Sequence, residues 1–362
     1  MENIRFKALE IGSGDAFLIE TEGKQILFDS GGSKSIIKKL LKNNKKIDLA
    51  ICSHNDRDHS NGFIGLLEDP KFEIVEIWLP GLWLPILNFL IEEGNKQELF
   101  QLFFKNKEKI IKFQKNNNEI YYNSLVEKSD IHVKSFNNNL KCISEITDDA
   151  QNYYHQYKFP NCHQLYCYNR WYKKEIIRLY RITKIAGLAY KKGSIIRWFK
   201  PENNTPFIKT PDYNFKPLNS EEVVRIDRVS GVNFFKLLYL TNENKYSLVF
   251  EFYKGEIPIL LFSADSDYSF LTNKNKVYNN NIIVTSPHHG SKNNEIVYTK
   301  ITGYNIIWVR SSGERRGEPC SQFKSLSNKY CLTCIKKNIK KEIEFQLINK
   351  RWKYIKGTYC DC

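Results

Sequence analysis

Four side chains able to bind a divalent cation, His54, Asp56, Asp58 and His59, fall within the polar segment SHNDRDHSNG, Ser53–Gly62. Two imidazoles and two carboxylates offer neutral nitrogen and anionic oxygen, a donor set suited to Zn²⁺, Mn²⁺ or Fe²⁺. Asp56 and Asp58 sit so close in sequence that their charges repel unless a cation lies between them. A single histidine here would read as part of a solvated loop; the whole set reads as a metal site. Two distant segments carry the same residue types. Asp265 ends the apolar run IPILLFSAD, and His288–His289 follow NIIVTSP.

Each of these groups stands at the end of an apolar run that reads as a buried strand. Ile47–Cys52 leads directly into the first cluster, and a further strand is predicted at Glu73–Pro80. Upstream, IRFKALEI, AFLIET and QILFDS are predicted strands separated by the glycine turns GSGD and EGK, followed by the basic helix SKSIIKKLLKNN. Residues 81–233 change texture, being rich in Lys, Asn and aromatic residues with helical apolar spacing in LPILNFLIEEGNKQELFQLFF. Strand-like text resumes with FFKLLYL, YSLVFEFY, IPILLFSAD, NIIVTSP and YNIIWVRSS. This pattern divides the chain into a β-rich half at 1–80, an auxiliary helical region at 81–233, a second β-rich half at 234–325 and a cysteine-containing tail at 326–362. Three strand ends would then converge on one pocket.

SHNDRDHSNG resembles the His-x-His/Asp-x-Asp-His motif of the metallo-β-lactamase superfamily, and LLFSAD and SPHHGS resemble its later Asp and His motifs. Asp at the second motif position, together with PHHGS, GSGDAFLIE and ILFDSGG, is similar to the branch containing the ComEC-type hydrolase domain of bacterial DNA-uptake proteins. The resemblance spans residues 1–80 and 234–325. It implies an α/β fold, the αββα sandwich of that superfamily with a large helical insertion, and a dinuclear centre. Carried over, it implies His54 and Asp56 at one cation, Asp58 and His59 at the other with His289, and Asp265 bridging. His288 would touch substrate or support a ligand, although the two adjacent histidines could exchange roles. The superfamily's further histidine before the bridging Asp has no clear counterpart, since His132, His155 and His163 lie in the insertion. Asp56 in place of a histidine moves the preference toward Mn²⁺ while keeping Zn²⁺. Paired cations lower the pKa of a water and present hydroxide to an ester centre; Asp58 is the residue expected to orient it.

Fifty-five Lys and Arg against forty Asp and Glu leave a formal charge of +15, which favours an anionic partner. Ser291, Lys292, Arg310, Arg315 and Arg316 are the expected substrate contacts, with Arg offering a bidentate fork to phosphate. Ser291 reads equally well as a turn or cap residue. Where the related branch has Gly-His-Pro after its last strand, this chain has Gly317-Glu318-Pro319. Cys331 and Cys334 form a C-x₂-C pair that Cys360 and Cys362 could complete as a structural Zn²⁺ site, whereas Cys52 reads as buried packing.

The chain contains no P-loop, no dinucleotide-type glycine fingerprint, no signal-peptide pattern and no apolar run of about 18 or more residues. The expectation is a cytoplasmic hydrolase with nucleic acid as partner and no membrane association. The leading reading is a phosphodiesterase or nuclease acting on DNA or RNA through a metal-activated hydroxide. Two others stand beside it: a hydrolase of a small ester or cyclic nucleotide, and a regulatory or binding subunit with a degenerate site, joined to a protein partner in a multi-protein system such as antiphage defence.

Overall fold

The computed structural model describes residues 4–93, 121–141, 143, 163–202, 213–271, 275–311, 319–334, 339–340 and 342–357. In chain order the elements begin with β1 (Ile4–Ala8), β2 (Phe17–Thr21), β3 (Lys24–Phe28), α1 (Lys34–Leu40), β4 (Lys46–Ile51), α2 (Arg57–Glu68) and β5 (Glu73–Pro80). Next come α3 (Trp83–Glu93), β6 (Val126–His132), α4 (Val133–Asn137), α5 (His163–Lys191), β7 (Ile195–Pro201), β8 (Phe215–Pro217), β9 (Ser220–Glu222), β10 (Arg225–Val229) and α6 (Gly231–Leu240). The remainder is β11 (Phe250–Lys254), β12 (Ile257–Phe262), β13 (Lys276–Tyr278), β14 (Ile282–Thr285), α7 (Val297–Lys300), β15 (Ile301–Gly303), β16 (Ile306–Arg310), α8 (Ser321–Ser325), β17 (Lys329–Cys331), β18 (Thr333–Cys334), β19 (Ile339–Lys340), β20 (Ile343–Ile348) and β21 (Arg351–Lys356).

Two sheets carry the fold. The larger has the order β21-β20-β1-β2-β3-β4-β5-β7-β9, and the smaller β17-β16-β14-β12-β11-β8. Strands β3, β4, β5 and β7 run parallel, as do β12, β14, β16 and β17. Because side chains alternate along a strand, each sheet has two apolar faces to cover. Phe6, Phe17, Phe28 and Trp78 from the first sheet meet Phe250 and Phe262 from the second in one buried layer. The Phe28 and Phe262 rings stack with centroids 4.4 Å apart.

On the outer face of the first sheet, Leu27, Ala50 and Ile77 pack under Phe63 and Leu67 of α2 and Ile182 and Ile185 of α5. On the outer face of the second, Leu261, Val284 and Trp308 pack under Val297 of α7 and Phe323 of α8. The result is an αββα sandwich, a mixed α/β fold.

Residues 81–233 contain α3, α4 and α5 and also supply strands to both sheets, whereas FFKLLYL, expected as a strand, forms the body of α6, where Phe234, Phe235, Leu237 and Leu238 are all buried. IIRWFKP becomes β7 beside β5, with Trp198 buried under the helices and Phe199 buried between the two sheets. The tail contributes β20 and β21, a hairpin laid antiparallel on β1; its pattern IEFQLI buries every second residue. Long-range pairing with the N-terminal strand, invisible to local spacing, makes this hairpin part of the main sheet. No described helix is long and apolar enough to cross a membrane.

Candidate metal centre

The carboxyl ends of the parallel strands open on one edge of the sandwich, the usual location for ligand groups in such sheets. Asp29 follows β3, Ser53 and His54 follow β4, Asp265 follows β12, His288 and His289 follow β14, and Ser311 follows β16. Asp15 joins them from the turn between β1 and β2. Gly14 makes that turn fit: its φ is +90°, and a Cβ there would lie 1.6 Å from the Asp58 carbonyl oxygen. The Asp15 N–H then donates to the same oxygen at 3.1 Å.

Among the described residues, two groups of ligand atoms gather, and Asp265 belongs to both. One is Asp15, His59, Asp265 and His289; the other is His54, Asp56 and Asp265. His59 Nε2 lies 3.1 Å from Asp265 Oδ1, and His54 Nε2 lies 3.6 Å from Asp265 Oδ2. Asp15 Oδ2, His54 Nε2, His59 Nε2 and Asp265 Oδ1 are buried atoms without a hydrogen-bond partner. Buried polar atoms are normally satisfied. Four that converge, two nitrogens and two carboxylate oxygens, fit a pair of divalent cations.

Asp29 orients both imidazoles. Its carboxylate accepts the Ser53 N–H at 2.8 Å and the Ser53 hydroxyl at 2.7 Å, and stands 2.8 Å from His59 Nδ1. Nδ1 of His59 therefore carries the proton and Nε2 is left as the ligand atom. With its own proton committed to Asp29, Ser53 Oγ accepts from His54 Nδ1 at 2.9 Å, which frees His54 Nε2 in turn. On the other side, His289 Nδ1 lies 2.9 Å from Asp15 Oδ1 and 3.0 Å from Ser311 Oγ, and its Nε2 is 3.2 Å from Asp58 Oδ2.

His288 and His289 are consecutive residues with φ of 45° and 54°. Left-handed backbone at two adjacent non-glycine positions is strained and persists where surrounding contacts hold it. Here His288 N–H donates to the Ala264 carbonyl at 2.9 Å, and buried Arg310 donates Nε to the His289 carbonyl at 2.6 Å. The turn aims His288 Nε2 at Asp265 Oδ2, 3.6 Å away. Two amides meet His288 Nδ1: Asn294, whose Nδ2 donates to the carbonyls of Asp265 and Ser266, both at 2.9 Å, brings its Oδ1 to 3.1 Å, and Asn244 brings its Nδ2 to 2.8 Å.

The charges balance internally. Burial and the neighbouring His59 favour a neutral His54, but Asp265 and Asp56 carry its pKa up to about 9. Burial likewise opposes a charged His289, and Asp15 and Asp58 push it to about 10. His59 is raised well above its ordinary value, against burial, by Asp265 and Asp29. Burial works against ionised Asp265 and Asp58, yet their histidine neighbours hold both carboxyls well below the usual range. This density of mutually shifted groups in one place is characteristic of functional sites.

The expected substrate contacts separate. Lys292 is exposed beside the centre, in the turn after Ser291. Ser291 is buried and caps that turn, its Oγ accepting from Asn293 N at 3.3 Å. Arg310 is fully buried and serves the His288–His289 turn, so it offers no surface to a substrate. Arg315 and Arg316 lie outside the described residues. Of the expected structural zinc ligands, Cys331 is a buried thiol packed with Trp308 and Phe323; the Cys334 side chain, Cys360 and Cys362 lie outside the described residues. Cys52 is buried and donates its S–H to the His54 carbonyl at 3.3 Å. His132 lies in a separate cleft with Arg197, Trp198 and Glu222. His155 and the His163 side chain lie outside the described residues.

Sequence reasoning did not single out Asp15, Asp29, Ser311 or Asn294. GSGD and DSGG read as turns, which they are; the signal that distinguishes them is that an Asp in each stands beside a strand end.

Residues 9–87 match the family model described as Metallo-beta-lactamase superfamily, a superfamily of metal-dependent hydrolases. That segment contains Asp15, Asp29 and the whole His54–His59 cluster. No curated protein matches the chain.

Proposed function

We propose that the protein is a phosphodiesterase, acting on DNA or RNA, with its reaction centre at the two clusters that share Asp265. The observation that carries this reading is the shared carboxylate: Asp265 faces His54 and His288 with one oxygen and His59 with the other. Bridged pairs of cations recur where in-line displacement at phosphorus needs stabilisation of both attacking and leaving oxygens. His54, Asp56 and Asp265 would hold one cation, with His288 Nε2 as a fourth donor atom nearby. Asp15, His59, Asp265 and His289 would hold the other.

When bound, the cations supply Lewis-acid stabilisation and lower the pKa of water. The residues of the chain supply orientation. Asp58, held ionised by burial-opposing contacts with His289 and His59, is a hydrogen-bond acceptor suited to fixing the attacking water and a weak proton sink. His288, half-buried at the mouth, would touch the substrate or complete the first cluster. Exposed Arg57 and Lys292 follow Asp56 and Ser291 in the chain, and the formal charge of +15 favours a polyanion over a neutral ester.

The test is hydrolysis of labelled single- and double-stranded DNA and RNA, and of bis(p-nitrophenyl) phosphate, by chelated protein given Mn²⁺ or Zn²⁺. Cleavage of the polymers that disappears in Asp265→Asn supports the proposal. Cleavage of neutral or small esters alone, with polymers untouched, replaces it with a small-ester hydrolase.

A further inference from the structure

His54 and Asp56 are separated by one residue. Extended chain sends alternate side chains in opposite directions, so Asn55 points away from the centre that its neighbours face. It is completely buried, and every polar group of its side chain and peptide is engaged by segments far away in sequence. Its N–H donates to the Thr241 carbonyl at 3.2 Å, and its Nδ2 to Thr241 Oγ1 and the Arg178 carbonyl, both at 3.2 Å. Its carbonyl accepts Nε and Nη2 of Arg181 at 3.0 and 2.5 Å, and its Oδ1 accepts Nε at 3.3 Å.

Arg181 is itself buried on α5, which packs against α2, and Asp56 and Asp58 are among the charges acting on it. One residue beyond Thr241, Asn242 donates Nδ2 to Asp56 Oδ1. The peptide joining two cation ligands is thus clamped from α5 on one side and from the end of α6 on the other. None of these clamping groups lies within residues 9–87. The second cluster is supported by Ser311 and the Gly14 turn, with Asp29 serving His59 directly and His54 through Ser53; among the described residues none of its ligand side chains hydrogen-bonds to Arg181.

We propose that Arg181, through its forked hold on Asn55, is a positioning residue that sets the cation affinity of the His54–Asp56 cluster independently of the Asp15–His59–His289 cluster, with Asn242 acting on the same cluster through Asp56. The inference rests on the metal-centre reading above. A guanidinium presents two parallel donors to one carbonyl, which an ammonium cannot. Loss of the fork therefore leaves the peptide between the two ligands free to rotate, and groups that orient ligands in this way are worth about 10–100-fold in metal affinity.

The experiment is a calorimetric titration of the chelated full-length chain with Mn²⁺ alone. Wild type is expected to take up two equivalents, and His54→Ala to lose one of them. Arg181→Met is expected to weaken that same equivalent by about 10–100-fold and leave the other unchanged. Arg181→Lys is expected to recover part of the loss, and Asn242→Ala to weaken the same equivalent. Circular dichroism checks the fold; if Arg181→Met does not fold, Arg181→Lys and Asn242→Ala decide by the same criterion. Two equivalents that shift together, or that do not shift, overturn the inference while leaving the metal centre standing. No binding by wild type overturns both.

Discussion

Replacing Asp29 by Asn keeps its volume and removes its charge. Three donors converge on the native carboxylate, Ser53 N and His59 Nδ1 at 2.8 Å and Ser53 Oγ at 2.7 Å. An amide has one oxygen to offer them and turns its own N–H groups toward at least one, producing a donor against a donor. His59 relieves that conflict by moving its proton to Nε2, the atom that faces Asp265 at 3.1 Å, and so ceases to be a ligand. The Ser53 relay transmits the same disturbance to His54 Nδ1. A partner of one ligating histidine is worth about 10–100-fold in metal affinity. With two histidines affected, the expected loss is at the upper end, about 100-fold or roughly 2.7 kcal/mol. Titration of the chelated variant with Mn²⁺ or Zn²⁺, alongside a thermal melt to establish that it is folded, measures this directly. Unchanged affinity for both cations in a folded Asp29→Asn protein would refute the tautomer argument.

Other expectations follow from the same geometry. In chelator, the raised pKa values of His54, about 9, and His289, about 10, stabilise the fold fully below the unfolded histidine value of about 6.5, and this contribution is lost as pH rises through 9–10. Melting temperature in chelator should fall between pH 7 and 10, while metal affinity, which needs neutral imidazoles, should rise over the same range; a flat or inverted pair of profiles contradicts the assignment. Gly14→Ala combines a left-handed backbone, costing roughly 1–3 kcal/mol by itself, with a Cβ 1.6 Å from the Asp58 carbonyl. It should lower the melting temperature and weaken the cation held by Asp15; a wild-type melt would count against the turn's role. Asp58→Asn should retain both cations by elemental analysis and lose turnover, and loss of a cation instead would make Asp58 a ligand.

The clusters were visible in sequence wherever ligand types lie close together at the end of an apolar run. His54, Asp56, Asp58 and His59 occupy one loop, and Asp265, His288 and His289 each follow a strand, so sandwich halves and ligand segments could be read from spacing. The structure gathers these side chains around Asp265. Legibility ended where partners are distant. Asp15 and Asp29 sit in glycine turns whose purpose depends on what they approach, and the Arg181–Asn55 clamp joins residues 126 apart. Arg310 misled for a related reason: a guanidinium in a basic segment reads as surface, and only the strained His288–His289 turn explains why it is buried. The strand β7 and the hairpin β20–β21 were obscured because their partners, β5 and β1, are far away in the chain.

The central claim, that two cations share Asp265, is tested most directly by anomalous diffraction from crystals grown with Mn²⁺ or Zn²⁺. The account expects two peaks on opposite sides of the Asp265 carboxylate, one against His54 and Asp56 and one against Asp15, His59 and His289. Peaks located elsewhere, or none at all with the metal present in excess, would contradict it.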